Sequence, residues 1–222
     1  LEVNTGRTRN LTDPIDRQGF SRVLDGLAWS PDGTHIAFTE IARGENHVAI
    51  SVVSAGAERT GTDTRIGVGD LGYTTYGNPA WSADGTRVYA ITDGCSAACI
   101  RSFAADGRGE PVDVLPSDLS ADILAFNLAV SPDGTKLAFY RLENDFYYVT
   151  VYDFASQQLI LTQVQPRTDR FGLAWSPDGR QILTSAIDGL QNIPNAFGEL
   201  YAFTPVDGPA TDAIQITDDQ AW

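Results

Sequence analysis

One fourteen-residue phrase occurs four times in this chain. It reads LAWSPDGTHIAFTE from position 27, PAWSADGTRVYAIT from 79, LAVSPDGTKLAFYR from 128 and LAWSPDGRQILTSA from 173. The anchors Trp29, Trp81, Val130 and Trp175 lie 52, 49 and 45 residues apart, and Trp222 follows 47 residues later. All four tryptophans therefore share one repeat position. A period of this length means a supersecondary module copied along the chain, each copy burying its apolar faces against its neighbours.

Each copy has the same physical reading. A short strand ends at the anchor, and a tight turn follows. Its Pro presets φ, its Asp can bond backbone amides, and its Gly accepts positive φ, often as a bulge. An alternating apolar strand comes next, so the phrase is a β-hairpin. A third strand follows at 47–54, 99–106, 146–153 and 199–206. A fourth closes each unit in TRIGVG, VDVLPS, QLILTQ and AIQITD. The first of these four reads weakest, being rich in Gly and Thr. No long segment carries a 3.6-residue period, so almost no helix is expected. Four strands per 40–50 residues is the signature of a propeller blade. The chain thus reads as all-β, a β-propeller of four-stranded antiparallel blades at 27–68, 79–117, 128–165 and 173–218. The structural repeat residues are Trp29, Asp32 and Gly33; Trp81, Asp84 and Gly85; Asp133 and Gly134; and Trp175, Asp178 and Gly179.

The AWSPDGxxIAF unit resembles the WD40-like PD40 repeat of TolB-type β-propellers, which also occurs in the propeller domains of prolyl-oligopeptidase-like serine peptidases. The resemblance covers nearly the whole chain and departs from the pattern at Val130 and Ala83. It is specific for fold far more than for activity. It implies six blades. Residues 1–12 look like the outer strands of a preceding blade and 219–222 like the start of a next one, so partial blades flank the four full ones. The two ends could pair into a fifth blade lacking one strand. The simpler expectation is a segment of a longer propeller. The first residue is Leu1 and the chain holds no Met, which fits a processed or cut N-terminus.

Charge narrows the function. Asp and Glu number 29 against 15 Lys and Arg, a formal net charge of −14. Such a surface repels phosphate backbones and anionic lipid, so nucleic acid is not the expected partner. No apolar run approaches the ~20 residues that span a bilayer. Cys95 and Cys99 form a CxxxC pair, with neither zinc ligands nearby nor redox CxxC spacing. A local disulfide is the favoured reading and would fit an oxidising compartment; two half-buried thiols are the alternative. Asn10-Leu11-Thr12 matches a glycosylation sequon as well as a blade-ending strand.

No catalytic set is visible. Ser30, Asp32 and His35 lie close in sequence, but Ser30 and Asp32 recur in every copy as turn formers, and His35 aligns with Arg87, Lys136 and Gln181, all solvent-facing types. His47 stands alone at the start of a third strand. Neither a G-x-S-x-G elbow nor an EF-hand pattern is present. No metal or cofactor is expected, beyond incidental calcium at the acidic loops.

The turns of the repeat should occupy one face. The longer connections, at 13–26, 41–46, 68–78, 93–98, 117–127, 165–171 and 186–198, should occupy the other. They carry Phe20, Tyr73, Tyr76, Phe126, Phe171 and Phe197 among small polar residues, a composition that suits protein recognition. The expected function is a non-catalytic scaffold that binds a protein partner in a periplasmic, extracellular or cell-surface setting of bacterial type. Two alternatives stand beside it. One is the gating propeller of a prolyl-oligopeptidase-like peptidase whose catalytic domain lies elsewhere. The other is a carbohydrate or small-ligand site at the channel mouth.

Overall fold

The computed structural model describes residues 8, 10–12, 22–42, 47–56, 63–70, 78–92, 99–120, 124–144, 146–166, 172–185, 187–188, 200–209 and 212–217. These form four four-stranded antiparallel sheets arranged as the blades of a propeller. The first blade holds β1 (Arg22–Trp29), β2 (His35–Ala42), β3 (His47–Ser54) and β4 (Thr64–Asp70). The second holds β5 (Ala80–Trp81), β6 (Arg87–Thr92), β7 (Cys99–Ala104) and β8 (Val112–Asp113), and one helical turn, α1 (Ser117–Ser120), follows it. The third holds β9 (Leu124–Val130), β10 (Lys136–Glu143), β11 (Phe146–Asp153) and β12 (Gln158–Leu161). After β13 (Gln165–Pro166) come β14 (Leu173–Trp175), β15 (Ile182–Ser185), β16 (Ile187–Asp188), β17 (Leu200–Phe203) and β18 (Ile214–Gln215). The fourth blade uses β14, β15, β17 and β18, while β13 and β16 pair as a separate ribbon. The first strands β1, β5, β9 and β14 neighbour one another in succession and so form the inner side of the array.

Among the described residues, the buried apolar layers lie between blades. Ala37, Ile50 and Val52 of the first blade meet Trp81, Val88, Ala90 and Phe103 of the second. Ile91, Ile100 and Leu115 of the second meet Leu128, Leu137, Phe139 and Tyr152 of the third. Ala138, Tyr140, Val149 and Val151 of the third meet Ile182, Tyr201 and Phe203 of the fourth. This is the physical reason for the repeat. A blade with period-two apolar residues on both faces is stable only when both are covered.

Three details depart from the sequence reading. Strands β1 and β9 run back well beyond the anchor phrase. Each absorbs a bulge three residues before its anchor, at Gly26 (φ 58°) and Asn127 (φ 44°). Phe126 therefore belongs to β9, opposite Tyr140, and not to a connecting loop. The outer strand expected to be weakest, β4, is the longest outer strand at 7 residues. Gly67 is there for packing: a Cβ on it would come within 2.4 Å of the Phe103 ring in the second blade. The connections 165–171 and 186–198 are also not wholly irregular, because Gln165 and Pro166 pair with Asp188 and Ile187.

The outer rim is stitched across blades as well. Asp207, in the β17–β18 connection, accepts a hydrogen bond from the Leu161 amide of β12 at 2.8 Å. The Gly208 amide donates to Leu161 O and Gln163 N donates to Gly208 O. This covers part of an edge strand that would otherwise present unpaired backbone groups.

Candidate functional site

A meander of four antiparallel strands puts the first and third connections at one end and the second connection, with the link to the next blade, at the other. The turn end is built four times from the same atoms. In the first blade Ser30 Oγ donates to Asp32 Oδ1 at 2.6 Å and accepts from the His35 amide at 2.9 Å. Asp32 Oδ1 also accepts from Thr34 N at 3.0 Å. Gly33 N donates to Ser30 O, and Gly33 sits at φ 70°. That is a four-residue turn closed by a left-handed glycine, as a hairpin with a bulge requires. Ser82 with Asp84 and Gly85, Ser131 with Asp133 and Gly134, and Ser176 with Asp178 and Gly179 repeat it with the same 2.6 Å Ser–Asp bond.

Successive turns also touch. A Cβ on Gly85 would lie 3.9 Å from Pro31, one on Gly134 3.0 Å from Ala83, and one on Gly179 3.6 Å from Pro132. The turns therefore line up as an arc in which each glycine sits against the preceding turn's Pro or Ala.

The hydrogen bonds set the electrostatics of this end. The Ser30 hydroxyl first, then the Thr34 amide and hydroxyl, pull the Asp32 carboxyl down to about 2. Ser82 and Thr86 do the same to Asp84, and Ser131 and Thr135 to Asp133, both to about 2. Asp178 is lowered too, chiefly by Ser176; Arg180 stands where the other turns have Thr. An Asp whose folded pKa is depressed contributes stability above its unfolded value, and that stability is lost as pH falls through the folded value. Thermal midpoints should therefore decline between pH 4 and pH 2, and Asp84→Asn should make that decline shallower. An unchanged pH profile in this variant would show that the turn carboxylates are not the linked groups.

The geometry also settles what Ser30, Asp32 and His35 do together. His35 directs its ring Nδ1 to Thr34 Oγ1 at 2.7 Å, and the Ser30 hydroxyl donates to Asp32. No imidazole takes a proton from the serine, so the cluster is a turn network and not a triad. Among the described residues no three His, Cys, Asp or Glu side chains come together to hold a metal ion.

The anchors do differ from blade to blade. Trp81 is buried and donates from Nε1 to Ala28 O of the first blade at 3.0 Å. Trp175 donates to Ala129 O of the third blade at 2.9 Å. In both cases the acceptor is the residue just before the preceding blade's anchor. Trp29 is 60% exposed and Leu27 beside it 65%. Val130, with no side-chain N–H to donate, takes the anchor place in the third blade.

One buried ionic group went unnoticed in the sequence. Glu40 is 1% exposed, on the first blade's face away from the second. It accepts from Ser51 Oγ at 3.1 Å and pairs with Arg65 Nε of β4 at 2.9 Å. The third blade places Arg141 and Thr150 in the corresponding relation, with Nε 3.3 Å from the hydroxyl. Aligning the second strands of the repeats would have singled out this column, because Glu40, Thr92 and Arg141 share it in strands that are otherwise mostly apolar.

Phe20, Tyr73, Tyr76, Phe171 and Phe197, expected in the long connections, lie outside the described residues, as does Cys95. Cys99 opens β7 and His47 opens β3. Among the described residues no helix is long and apolar enough to cross a membrane.

Comparison with solved structures matches the fold. TolB from Acinetobacter baumannii superposes with a TM-score of 0.62 at 18% identity, covering 82% of this chain and 41% of that one. A TolB structure from Agrobacterium tumefaciens gives 0.60 at 19%, covering 89% and 62%. A puromycin-hydrolysing peptidase of Mycobacterium tuberculosis gives 0.62 at 18%, covering 96% and 30%. The chain thus spans less than two thirds of the length of each of these proteins. No curated protein matches it in sequence. The model of the lipoprotein LpqB β-propeller domain matches residues 1–179. With a TolB-type propeller architecture and a family match over most of its length, the chain belongs to the LpqB lipoprotein β-propeller family.

Proposed function

We propose that this chain is a non-catalytic propeller scaffold that binds another protein through its long-loop end, in the bacterial cell envelope. One observation carries the reading: the two ends of the blades differ in kind. At the turn end, each Ser, Asp and Gly of the repeat is engaged in its own turn. The sequence that breaks the repeat, with Phe20, Tyr73, Tyr76, Phe171 and Phe197, is concentrated in the other connections. Rigid scaffolds commonly carry recognition in such loops. Membership in a lipoprotein propeller family and the likeness to TolB support the envelope setting and a protein partner. The acidic surface supports a partner other than nucleic acid. We read the repeat as PD40-type and assign no cofactor.

The double variant Tyr73→Ala/Tyr76→Ala should lose capture of the partner from a native envelope extract by at least tenfold, with its thermal midpoint unchanged. Undiminished capture would remove that face from the account. The envelope setting also expects Cys95 and Cys99 to be joined. Protein isolated without reductant should resist alkylation at both, and two alkylated thiols would count against pairing.

A second reading, the gating propeller of a serine peptidase, draws on the likeness to the puromycin-hydrolysing peptidase, of which this chain covers 30%. In that case a G-x-S-x-G elbow followed by Asp and His stands beyond Trp222 in the gene. Several hundred residues without one would exclude it.

A further inference from the structure

We propose that the groove between the first two blades, at the turn end, binds the guanidinium side chain of an arginine in a partner peptide. This site lies at the end opposite the long loops and is independent of the binding proposed there.

The groove is open because this junction lacks the aromatic filling of the next one. In the third blade Phe154 follows β11, its amide donating to Thr135 O, and its ring stacks on Tyr89 of the second blade with centroids 5.8 Å apart. In the second blade the same backbone bond, to Thr86 O, is made by Ala105. The first-blade counterpart of Tyr89, eight residues beyond the anchor, is Ala37. Two alanines thus stand where the next junction has an aromatic stack. The result is a cavity of about 270 Å³ whose walls include Ser30, Asp32 and His35 on one side and Trp81, Ala105 and Asp106 on the other. Phe154 is followed by Ala155, whereas Ala105 is followed by Asp106, so a carboxylate appears just where the groove opens.

The polar groups on these walls are short of donors. Ser30 is consumed by its turn. Asp32 accepts three hydrogen bonds, from Ser30 Oγ, Thr34 N and Thr34 Oγ1, and two carboxylate oxygens offer about four acceptor sites. Thr34 Oγ1 gives its proton to Asp32 Oδ2 at 2.8 Å, so the contact at 2.7 Å has His35 Nδ1–H as donor. In the neutral ring that leaves Nε2 as an acceptor. Asp106 Oδ1 accepts from the Arg108 amide at 3.0 Å, while its Oδ2 faces Arg108 Nε at 3.7 Å between two well-exposed side chains, an ion pair weak enough to yield to a ligand. Asp32, His35 and Asp106 therefore offer acceptors beside the indole of Trp81. Among the described residues lining the cavity there is no Lys or Arg to hold a carboxylate or phosphate. A guanidinium has five donors and no acceptor, and its plane lies well against aromatic rings. The net charge of −14 adds long-range attraction for a basic partner.

The test is a titration of the whole ¹⁵N-labelled chain with acetyl-Gly-Arg-Gly-amide and with its citrulline analogue, isosteric but neutral. The readout is the indole N–H of Trp81, with that of Trp175 as internal control. We expect the arginine peptide to shift Trp81 in a saturable way, to leave Trp175 in place, and to bind at least tenfold more tightly than the citrulline peptide. Ala105→Phe, which copies the third blade, should weaken binding at least tenfold. Asp106→Asn, on an exposed side chain whose remaining amide oxygen can still accept from the Arg108 amide, should weaken it at least threefold with the thermal midpoint unchanged. Equal binding of the citrulline peptide, equal shifts at both tryptophans, no shift at all, or unchanged affinity in Asp106→Asn would each overturn the assignment.

Discussion

Replacing Trp81 by alanine is expected to cost about 3–5 kcal/mol, the usual range for removing a large buried aromatic, and to lower the thermal midpoint by roughly 10 °C in a chain of this size. The indole fills the layer between the first two blades, beside Ala37, Ile50 and Val52, and ties them through its bond to Ala28 O. Trp81→Phe keeps most of the apolar area and forfeits that bond, so about 1 kcal/mol separates it from wild type. Trp29→Ala, at the same repeat position but 60% exposed, should cost less than about 1 kcal/mol in this chain. Calorimetry on the three variants decides the matter. Equal losses at Trp29 and Trp81 would mean that the repeat position, and not the junction, determines the energy.

Gly67→Val should be the most damaging small substitution, at about 3 kcal/mol, the upper part of the range for overpacking. The first Cβ atom already falls 2.4 Å from Phe103 Cε1 and 2.8 Å from its Cδ1. Phe103 is 5% exposed and held among Trp81, Val88 and Ala90, so the ring cannot swing aside cheaply. Gly172→Ala is the control, because nothing lies within 4 Å of its added Cβ; its unfolding free energy should stay within about 0.5 kcal/mol of wild type. The companion change Phe103→Leu should recover part of the Gly67→Val loss, since residues in contact do not act additively. Failure of that rescue would place the strain in the β4 backbone.

These results bear on how much could be read from the residues alone. The hairpin turns could be read fully, because Ser, Asp and Gly act there within six positions of one another and each has a local reason to be present. The blade count and the antiparallel order followed from the period. Strand lengths were harder. Gly26 and Asn127 look like loop residues, yet each forms a bulge that lets its strand continue. Gly67 looks like a strand breaker, and only the ring of Phe103, 36 residues away and in another blade, explains it. The same holds for Ala105 and Asp106. Each is unremarkable in its own segment, and they gain meaning only when aligned with Phe154 and Ala155. The loop aromatics are a different case. Nothing in their own spacing repeats, so no physical rule of period or turn fixes where Tyr73 or Phe197 points.

The central claim is that the repeat builds the scaffold while the non-repeating loops at one end do the recognition. Hydrogen exchange of the chain, alone and with the partner captured from envelope extract, tests it most directly. The account predicts slowed exchange in segments 13–21, 71–77, 167–171 and 189–199. Unchanged exchange in all four, in a complex shown to be intact, would contradict it.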